Sequence, residues 1–461
     1  MNYESALRYL LSLGRELAAP TQAAAAKFDL ENISVLTERL GRPERAFATV
    51  HIAGTNGKGS TAAFIEAILR DAGFPTGLNT SPHLERINER IRINGEEISD
   101  EDFARIFTRA GEVVEALLAE GKLRAHPTYF EMVTAIAFEA FARKRVEFAV
   151  VEVGLGGRLD ATNVVGPIVS VITRIDFDHE NFLGHSIEEI AAEKAGIIKP
   201  GACVVSAAEN PAAREVIRRR AAEQGARLVE IDEVCRVSRL SAEDGRYRFQ
   251  VSLAKYLGTG SARELEIALP LAGRFQVRNA LTAIVAARLL VQRGFAISDD
   301  AIVQGIQSVR WPGRLERLQE RPAVYLDGTH NPAGAREALT FWREHLAGRR
   351  IHLIYGAMRD KAIDEVAGLL FPHAATVILT QSPQPRSLSA QTLAEMTSHL
   401  AENVEVIREP GAALDRALEI AKPDDVIFAT GSLYLVGDLR RHWDAHTTAE
   451  YARESGKTVT S

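Results

Sequence analysis

The densest chemistry in the chain lies in one run, Thr49-Val-His-Ile-Ala-Gly-Thr-Asn-Gly-Lys-Gly-Ser-Thr61. A β-branched stretch enters it and an apolar helical pattern leaves it. Gly54, Gly57 and Gly59 therefore fall where a strand turns into a helix. Glycines there let successive N–H groups face inward around a phosphate, and the helix start adds the positive end of its dipole. Lys58 is placed to reach the β- and γ-phosphates, with Thr55 and Asn56 in the same cradle. Ser60 or Thr61 supplies a hydroxyl near a magnesium ion. The strict Walker spacing fails, because it needs glycine where Ile52 stands and Gly59 separates the lysine from the hydroxyl. A second Gly-Lys-Thr, Gly456–Thr458, has no strand before it and carries no weight.

Such a loop needs a sheet and helices to hold it. Strand-like runs at 48–53, 75–80, 148–153, 168–173 and 202–206 alternate with helical stretches, the pattern of a parallel sheet wrapped by helices. Runs at 246–253 and 264–269 alternate in polarity and predict a small antiparallel edge at about 233–270. A long helix is predicted over 279–293. Trp311-Pro312-Gly313 then breaks the chain. The alternation restarts with strands at 323–326, 351–355, 376–380, 404–406 and 426–429. The expected division is a first domain over 1–310, a hinge over 311–322, a second α/β domain over 323–445, and a disordered tail over 446–461.

Composition narrows the field. The chain has 461 residues, enough for two or three domains, with 46% hydrophobic and 25% charged residues. Its 55 basic against 61 acidic side chains give −6, so no basic field holds nucleic acid. Two cysteines, Cys203 and Cys235, exclude a disulfide framework and a cysteine zinc site. No run of about 18 apolar residues predicts a membrane span. The first 17 residues carry Glu4, Arg8, Arg15 and Glu16, unlike a signal peptide. A cytoplasmic protein is expected.

Eight segments, in order along the chain, carry a resemblance. They are Gly54-Thr-Asn-Gly-Lys-Gly-Ser60, Thr80-Ser-Pro-His-Leu84, Glu152-Val-Gly-Leu-Gly-Gly-Arg-Leu-Asp-Ala-Thr-Asn163, Asp178-His179, Lys194-Ala-Gly-Ile-Ile-Lys199, Trp311-Pro-Gly-Arg-Leu-Glu316, Leu326-Asp-Gly-Thr-His-Asn-Pro332 and Gly431-Ser-Leu-Tyr434. The chain resembles the folylpolyglutamate synthase/dihydrofolate synthase family of the Mur ligase superfamily. The resemblance implies a Mur-ligase-like P-loop ATPase domain with a parallel sheet, and a smaller Rossmann-like C-terminal α/β domain. It implies an ATP-dependent ligase that activates a carboxylate as an acyl phosphate, which the amine of L-glutamate then attacks. The acceptor would be dihydropteroate, a folate, or both.

The same resemblance distributes roles. Ser81, Glu152 and His179 match the family's Mg²⁺ ligands, with two metal sites expected. Lys194 matches a lysine that many members carry as a carbamate, which would turn a cation into a metal-facing anion. Lys58, His179 and Lys194 would form the catalytic set. Asn279 of Gln276-Val-Arg-Asn279, Arg314, Asp327 and His330 would complete the ATP site. Pterin contacts map onto Phe28, Asp29, Thr128, Phe130, Asp160 and Ala161, with Phe130 stacking and Asp160 accepting from pterin N–H groups. Asp360-Lys361 and Ser382-Pro383 are candidates for the glutamate pocket, although the family's second acid is replaced by Ala362. Hinge motion would bring Arg314, Asp327 and His330 onto the nucleotide. The enzyme is expected to act as a monomer. Two other readings remain at this level, another Mur-type amino-acid ligase and a nucleotide-dependent switch without ligase activity.

Overall fold

In the computed structural model, residues 1–13, 29–257 and 264–455 are described, with side chains to 447. Phe28 and the Gly456–Thr458 run lie outside the described residues.

The first domain is built on eight strands. They are β1 (Ala48–Ala53), β2 (Thr76–Asn79), β3 (Ile91–Ile93), β4 (Glu96–Glu97), β5 (Phe148–Glu152), β6 (Pro167–Ile172), β7 (Cys203–Ser206) and β8 (Arg227–Glu230). Their order is β4-β3-β2-β5-β1-β6-β7-β8, parallel except for the β2–β3–β4 edge. β1 is central, with Ile52 paired to Glu152 of β5 and to Val171 of β6. Its residues are buried from Thr49 onward, as expected for a parallel strand covered on both faces.

Helices Lys58–Asp71, Phe275–Gln292 and Asp299–Ser308 share one apolar core with one face of the sheet. Asp100–Ala119 and Tyr129–Arg143 help build the other. Gly305 makes the first layer possible, since a Cβ there would lie 2.5 Å from the Ile68 Cα. The helix expected to begin at 279 starts a turn earlier, at Phe275, so Asn279 sits inside it. The predicted edge is present as β9 (Cys235–Glu243), β10 (Arg246–Leu253) and β11 (Leu265–Ala272), all antiparallel.

The second domain has strands β12 (Glu316–Glu320), β13 (Ala323–Leu326), β14 (Ile351–Tyr355), β15 (Thr376–Leu379), β16 (Val404–Val406) and β17 (Val426–Thr430). The order is β12-β13-β17-β14-β15-β16, parallel except for β12. Two expectations change here. The hinge over 311–322 is shorter, because 316–320 is a strand of this sheet whose polar composition suits an edge. The tail expected from 446 is helical as far as Ser455 in Leu433–Ser455. No Gly or Pro occurs between Pro410-Gly411 and Gly456 except Pro423, Gly431 and Gly437, so nothing stops this helix before Gly456.

Candidate active site

β1 delivers the glycine loop to the start of helix Lys58–Asp71, and Gly57 makes the turn at φ +89°. The loop is crowded on its outer side. A Cβ on Gly57 would lie 2.4 Å from the Asn279 Oδ1, and one on Gly54 only 1.8 Å from the Thr173 Oγ1. Glycine is thus required for packing as well as for conformation. Thr55 binds the segment after β6, its N–H donating to the Arg174 carbonyl (2.8 Å) and its hydroxyl to the Asp176 carbonyl (2.9 Å). Gln276 Nε2 donates to Ser60 Oγ (3.3 Å), Asn279 Nδ2 donates to Gln276 Oε1 (2.9 Å), and Thr61 Oγ1 is buried without a partner. Trp311 covers Gly59, whose Cβ would lie 3.2 Å from the indole Nε1.

Two lysines meet at one backbone oxygen. Lys58 Nζ donates to the carbonyls of Gly54 and Thr55 (both 3.1 Å), and Lys194 Nζ donates to the same Gly54 carbonyl (2.9 Å). Burial lowers the pKa of both. For Lys194, burial and then the charge of Lys58 bring it to about 7. Glu152, at the end of β5, is buried and accepts from the Ser81 N–H (3.2 Å). Burial raises its pKa, against the pull of Lys58. Ser81, Glu152, Gly59, Trp311, Arg314 and Arg440 line one cavity of about 290 Å³ between the domains.

His179 stands with the second domain rather than with Glu152. Its Nε2 is 3.1 Å from Lys361 Nζ, and its buried Nδ1 has no hydrogen-bond partner but faces Asp360 Oδ2 at 4.0 Å. Burial and Lys361 lower its pKa to about 3, against Asp178. Asp178 gathers donors from both domains, the His179 N–H (2.9 Å) among them. Lys361 Nζ donates to its Oδ1 (2.8 Å), Asn331 Nδ2 donates to its Oδ2 (3.1 Å), and His330 Nε2 is 3.7 Å away. Burial would raise the Asp178 pKa, but Lys361 and His330 outweigh it and hold it well below the usual range. Asp327 is spent on the loop it begins, accepting from the N–H groups of Leu315 (2.9 Å) and Thr329 (3.0 Å). Arg314 lies beside Gly328, whose Cβ would be 2.9 Å from its Nη1.

The residues fit a phosphate and a divalent cation held chiefly by phosphate and water. Among the described residues no group of three or more His, Cys, Asp or Glu side chains forms a ready cation site. Glu152 nevertheless keeps acceptor positions beyond its one bond to Ser81, His179 Nδ1 is orphaned, and the glycine loop is a cradle that a Cβ would fill.

The pterin candidates gather around the loop after β5 and the start of helix Tyr129–Arg143, but their polar atoms are committed. Asp160 Oδ2 accepts from the N–H groups of Gly154 (3.1 Å) and Leu155 (3.0 Å). Its Oδ1 accepts from the Thr162 N–H (2.9 Å) and from the Thr162 hydroxyl. All four acceptor positions of this buried carboxylate are filled by the loop it shapes. Thr128 closes a capping box with Glu131, and Asp29 accepts from the Glu31 N–H (2.9 Å). Ala161 is core, and Phe130 lies over Gly154, where a Cβ would meet the ring at 2.5 Å. In the expected glutamate pocket, Ser382 donates to Asp438 (2.6 Å) and Asp360 accepts from Arg386 (2.7 Å), apart from the Lys361 contacts. Sequence reasoning assigned no role to Asn331 or to Asp178. Asn-Pro before a helix was the available signal for the first. Little local signals the second: its one neighbouring donor is the His179 N–H (2.9 Å), and its side-chain donors Asn331 and Lys361 lie more than 150 residues away in the chain.

A glycine loop thus stands at the centre of a parallel sheet and faces a second α/β domain across a cleft. The Mur ligase middle-domain family matches residues 52–287, and the Mur ligase glutamate ligase domain matches 313–433. The chain is 37% identical over 414 residues to the dihydrofolate synthase/folylpolyglutamate synthase of Bacillus subtilis, covering 89% of this chain and 94% of that one. Mycobacterium tuberculosis folylpolyglutamate synthase complexed with ADP superposes with a TM-score of 0.85 at 31% identity, covering 95% and 97% of the two chains. The bifunctional folylpolyglutamate synthase/dihydrofolate synthase of Yersinia pestis, complexed with AMPPNP and a Mn ion, gives 0.80 at 29% identity and 96% and 98% coverage. This chain belongs to the folylpolyglutamate synthase/dihydrofolate synthase family. Among the described residues no helix is long and apolar enough to cross a membrane.

Proposed function

We propose that this protein joins L-glutamate to dihydropteroate and to reduced folates, consuming ATP and releasing ADP and phosphate through an acyl phosphate. The observation that carries the reading is the convergence at the Gly54 carbonyl, where Lys58 and Lys194 meet beside Glu152 and the glycine cradle. On this reading the loop N–H groups hold the phosphates. Lys58 leaves its two carbonyls for the β- and γ-phosphates, and Asn279, Ser60 and Thr61 fix the loop's outer side. Magnesium, when bound, neutralises crowded phosphate charge. Ser81, Glu152, His179 and Lys194 would hold it in two sites. Lys194, with a pKa of about 7, has the neutral amine that reaction with CO₂ needs, and a carbamate there would face the cation as an anion. Arg314 supplies positive charge from the second domain, His330 adds a polar ring there, and Asp327 orients Arg314's segment through the Leu315 N–H. Phe130 is the surface on which a pterin would stack, over the loop that Asp160 shapes. We propose that the enzyme works in the cytoplasm as a monomer.

The test is phosphate release measured with ATP and each acceptor, with and without L-glutamate. Release that requires both glutamate and a pteroate or folate supports this function. Release with a different amino acid or a nucleotide-linked acceptor points to another Mur-type ligase, and release with ATP alone points to a switch.

A further inference from the structure

Asn331 precedes helix Pro332–His345 and is 2% exposed, and its side chain uses all four of its hydrogen-bonding positions. Its Oδ1 accepts from the Gly334 N–H (2.9 Å), capping the helix of its own domain. The same oxygen accepts from Asn56 Nδ2 (3.1 Å), while its Nδ2 donates to Asn56 Oδ1 (2.9 Å) and to Asp178 Oδ2 (3.1 Å). The amide orientation is fixed by these partners, since Gly334 needs an acceptor and Asp178 a donor. One side chain of the second domain thus ties together a helix start, the phosphate loop and the segment carrying His179.

We propose that Asn331 is a positioning residue that sets the register of the second domain on the nucleotide loop. The reciprocal Asn56–Asn331 pair can form in only one alignment, because two amides must meet edge to edge. Asp178, itself held by Lys361, adds a second fixed point. Asn56 therefore spends its side chain on the neighbouring domain, and its contribution to a phosphate would come from its backbone. Arg174–Glu337 (2.6 Å) and Arg336–Asp176 (3.6 Å) flank the contact. Both are partly exposed pairs that tolerate several geometries, so the alignment falls to the buried amides.

The kinetic part of the test rests on the ligase reading, and the exchange part does not. Asn331→Ser keeps a helix-capping oxygen but cannot reach both partners. In the ligand-free full chain, it is expected to raise amide exchange at 54–58 and 329–331 by about tenfold, with the rest of helix Pro332–His345 still protected. Turnover should fall on the order of 10²-fold with little change in KM for ATP, as a displaced reacting group requires. Asn331→Asp, isosteric and still capping, should lose turnover similarly. Asn56→Ala combined with Asn331→Ser should cost little more than either alone, because both remove one pair. Unchanged exchange at 54–58 in both Asn331 variants, or fully additive losses in the double variant, would overturn the proposal. A wild-type chain without ligase turnover would instead sink the ligase reading, and exchange would still decide the role of Asn331.

Discussion

Lys58 and Lys194 draw on a single acceptor, the Gly54 carbonyl, so the position of one ammonium governs the other's surroundings. Lys58→Ala is expected to leave the fold intact and to cut turnover by about 10²–10³, since the side chain acts on phosphate charge. Wild-type turnover in a folded variant would remove the loop lysine from the mechanism. For Lys194 the sign follows from its pKa of about 7, because the neutral amine grows in as pH rises past that value. A carbamate signal from ¹³C-bicarbonate should therefore strengthen from pH 6 to 8, and formate should partly restore activity to Lys194→Ala. Absence of both signal and rescue returns the lysine to a plain helix-end role. His51 offers a stability test away from the reaction. It is fully buried in β1, its Nε2 is 2.9 Å from Thr162 Oγ1, and burial then Lys199 lower its pKa to about 3. The unfolded chain takes up this proton near 6.5 and the folded chain does not, so the neutral ring's contribution is present above 6.5 and is lost as pH falls toward 3. His51→Gln should flatten the stability profile over that window in denaturant titrations at fixed ionic strength.

Among the elements, helix Leu433–Ser455 is placed by a backbone approach rather than by apolar side chains alone. A Cβ on Gly437 would lie 2.1 Å from the Leu84 carbonyl, in the loop that also carries Ser81. Gly→Ala inside a helix ordinarily stabilises by about 0.5–1 kcal/mol. Here the clash opposes that gain and pushes the Ser81 loop away, so Gly437→Ala is expected to lower activity without raising Tm. A raised Tm with normal turnover would show that the loop yields freely. The same contact marks the limit of what sequence could tell. Most parallel strands were legible because buried runs such as 148–152 are short, largely apolar and bounded by turns, whereas β8, Arg227–Glu230 with a charge at each end, was not among the expected strands. The glycine loop was legible because its neighbours name its context. The loop-shaping bonds of Asp160 were not legible, because an acid after a glycine run looks available and its backbone donors appear only once the loop is folded. The 316–320 strand was hidden by its polarity, and the Leu433 helix end by a lack of amphipathic period.

At the scale of the whole molecule, the short linker is itself docked. Trp311 packs on Gly59 and carries the Arg92 guanidinium 5.5 Å above its ring, so movement between the domains must slide this indole across the phosphate loop. Trp311→Ala should loosen the arrangement, seen as a larger radius of gyration in solution scattering of the ligand-free chain, and equal radii would place the pivot elsewhere. Asn56, Asp178, Asn331 and Lys361 each fall in a segment the sequence marks out, but their pairing with one another does not show there, since it bridges two separately folded sheets. The centrality of β1 bears on how the protein is made. The strand that carries the phosphate loop pairs with β5 and β6, residues 148–152 and 167–172, and with nothing nearer along the chain. During synthesis this apolar strand waits with both hydrogen-bonding edges unpaired while roughly a hundred further residues are added, about 5–20 s at ordinary elongation rates. Over that interval the nascent chain exposes the kind of strand that other chains can pair with, so the ribosome-bound fragment ending before β5 is the form most in need of a chaperone.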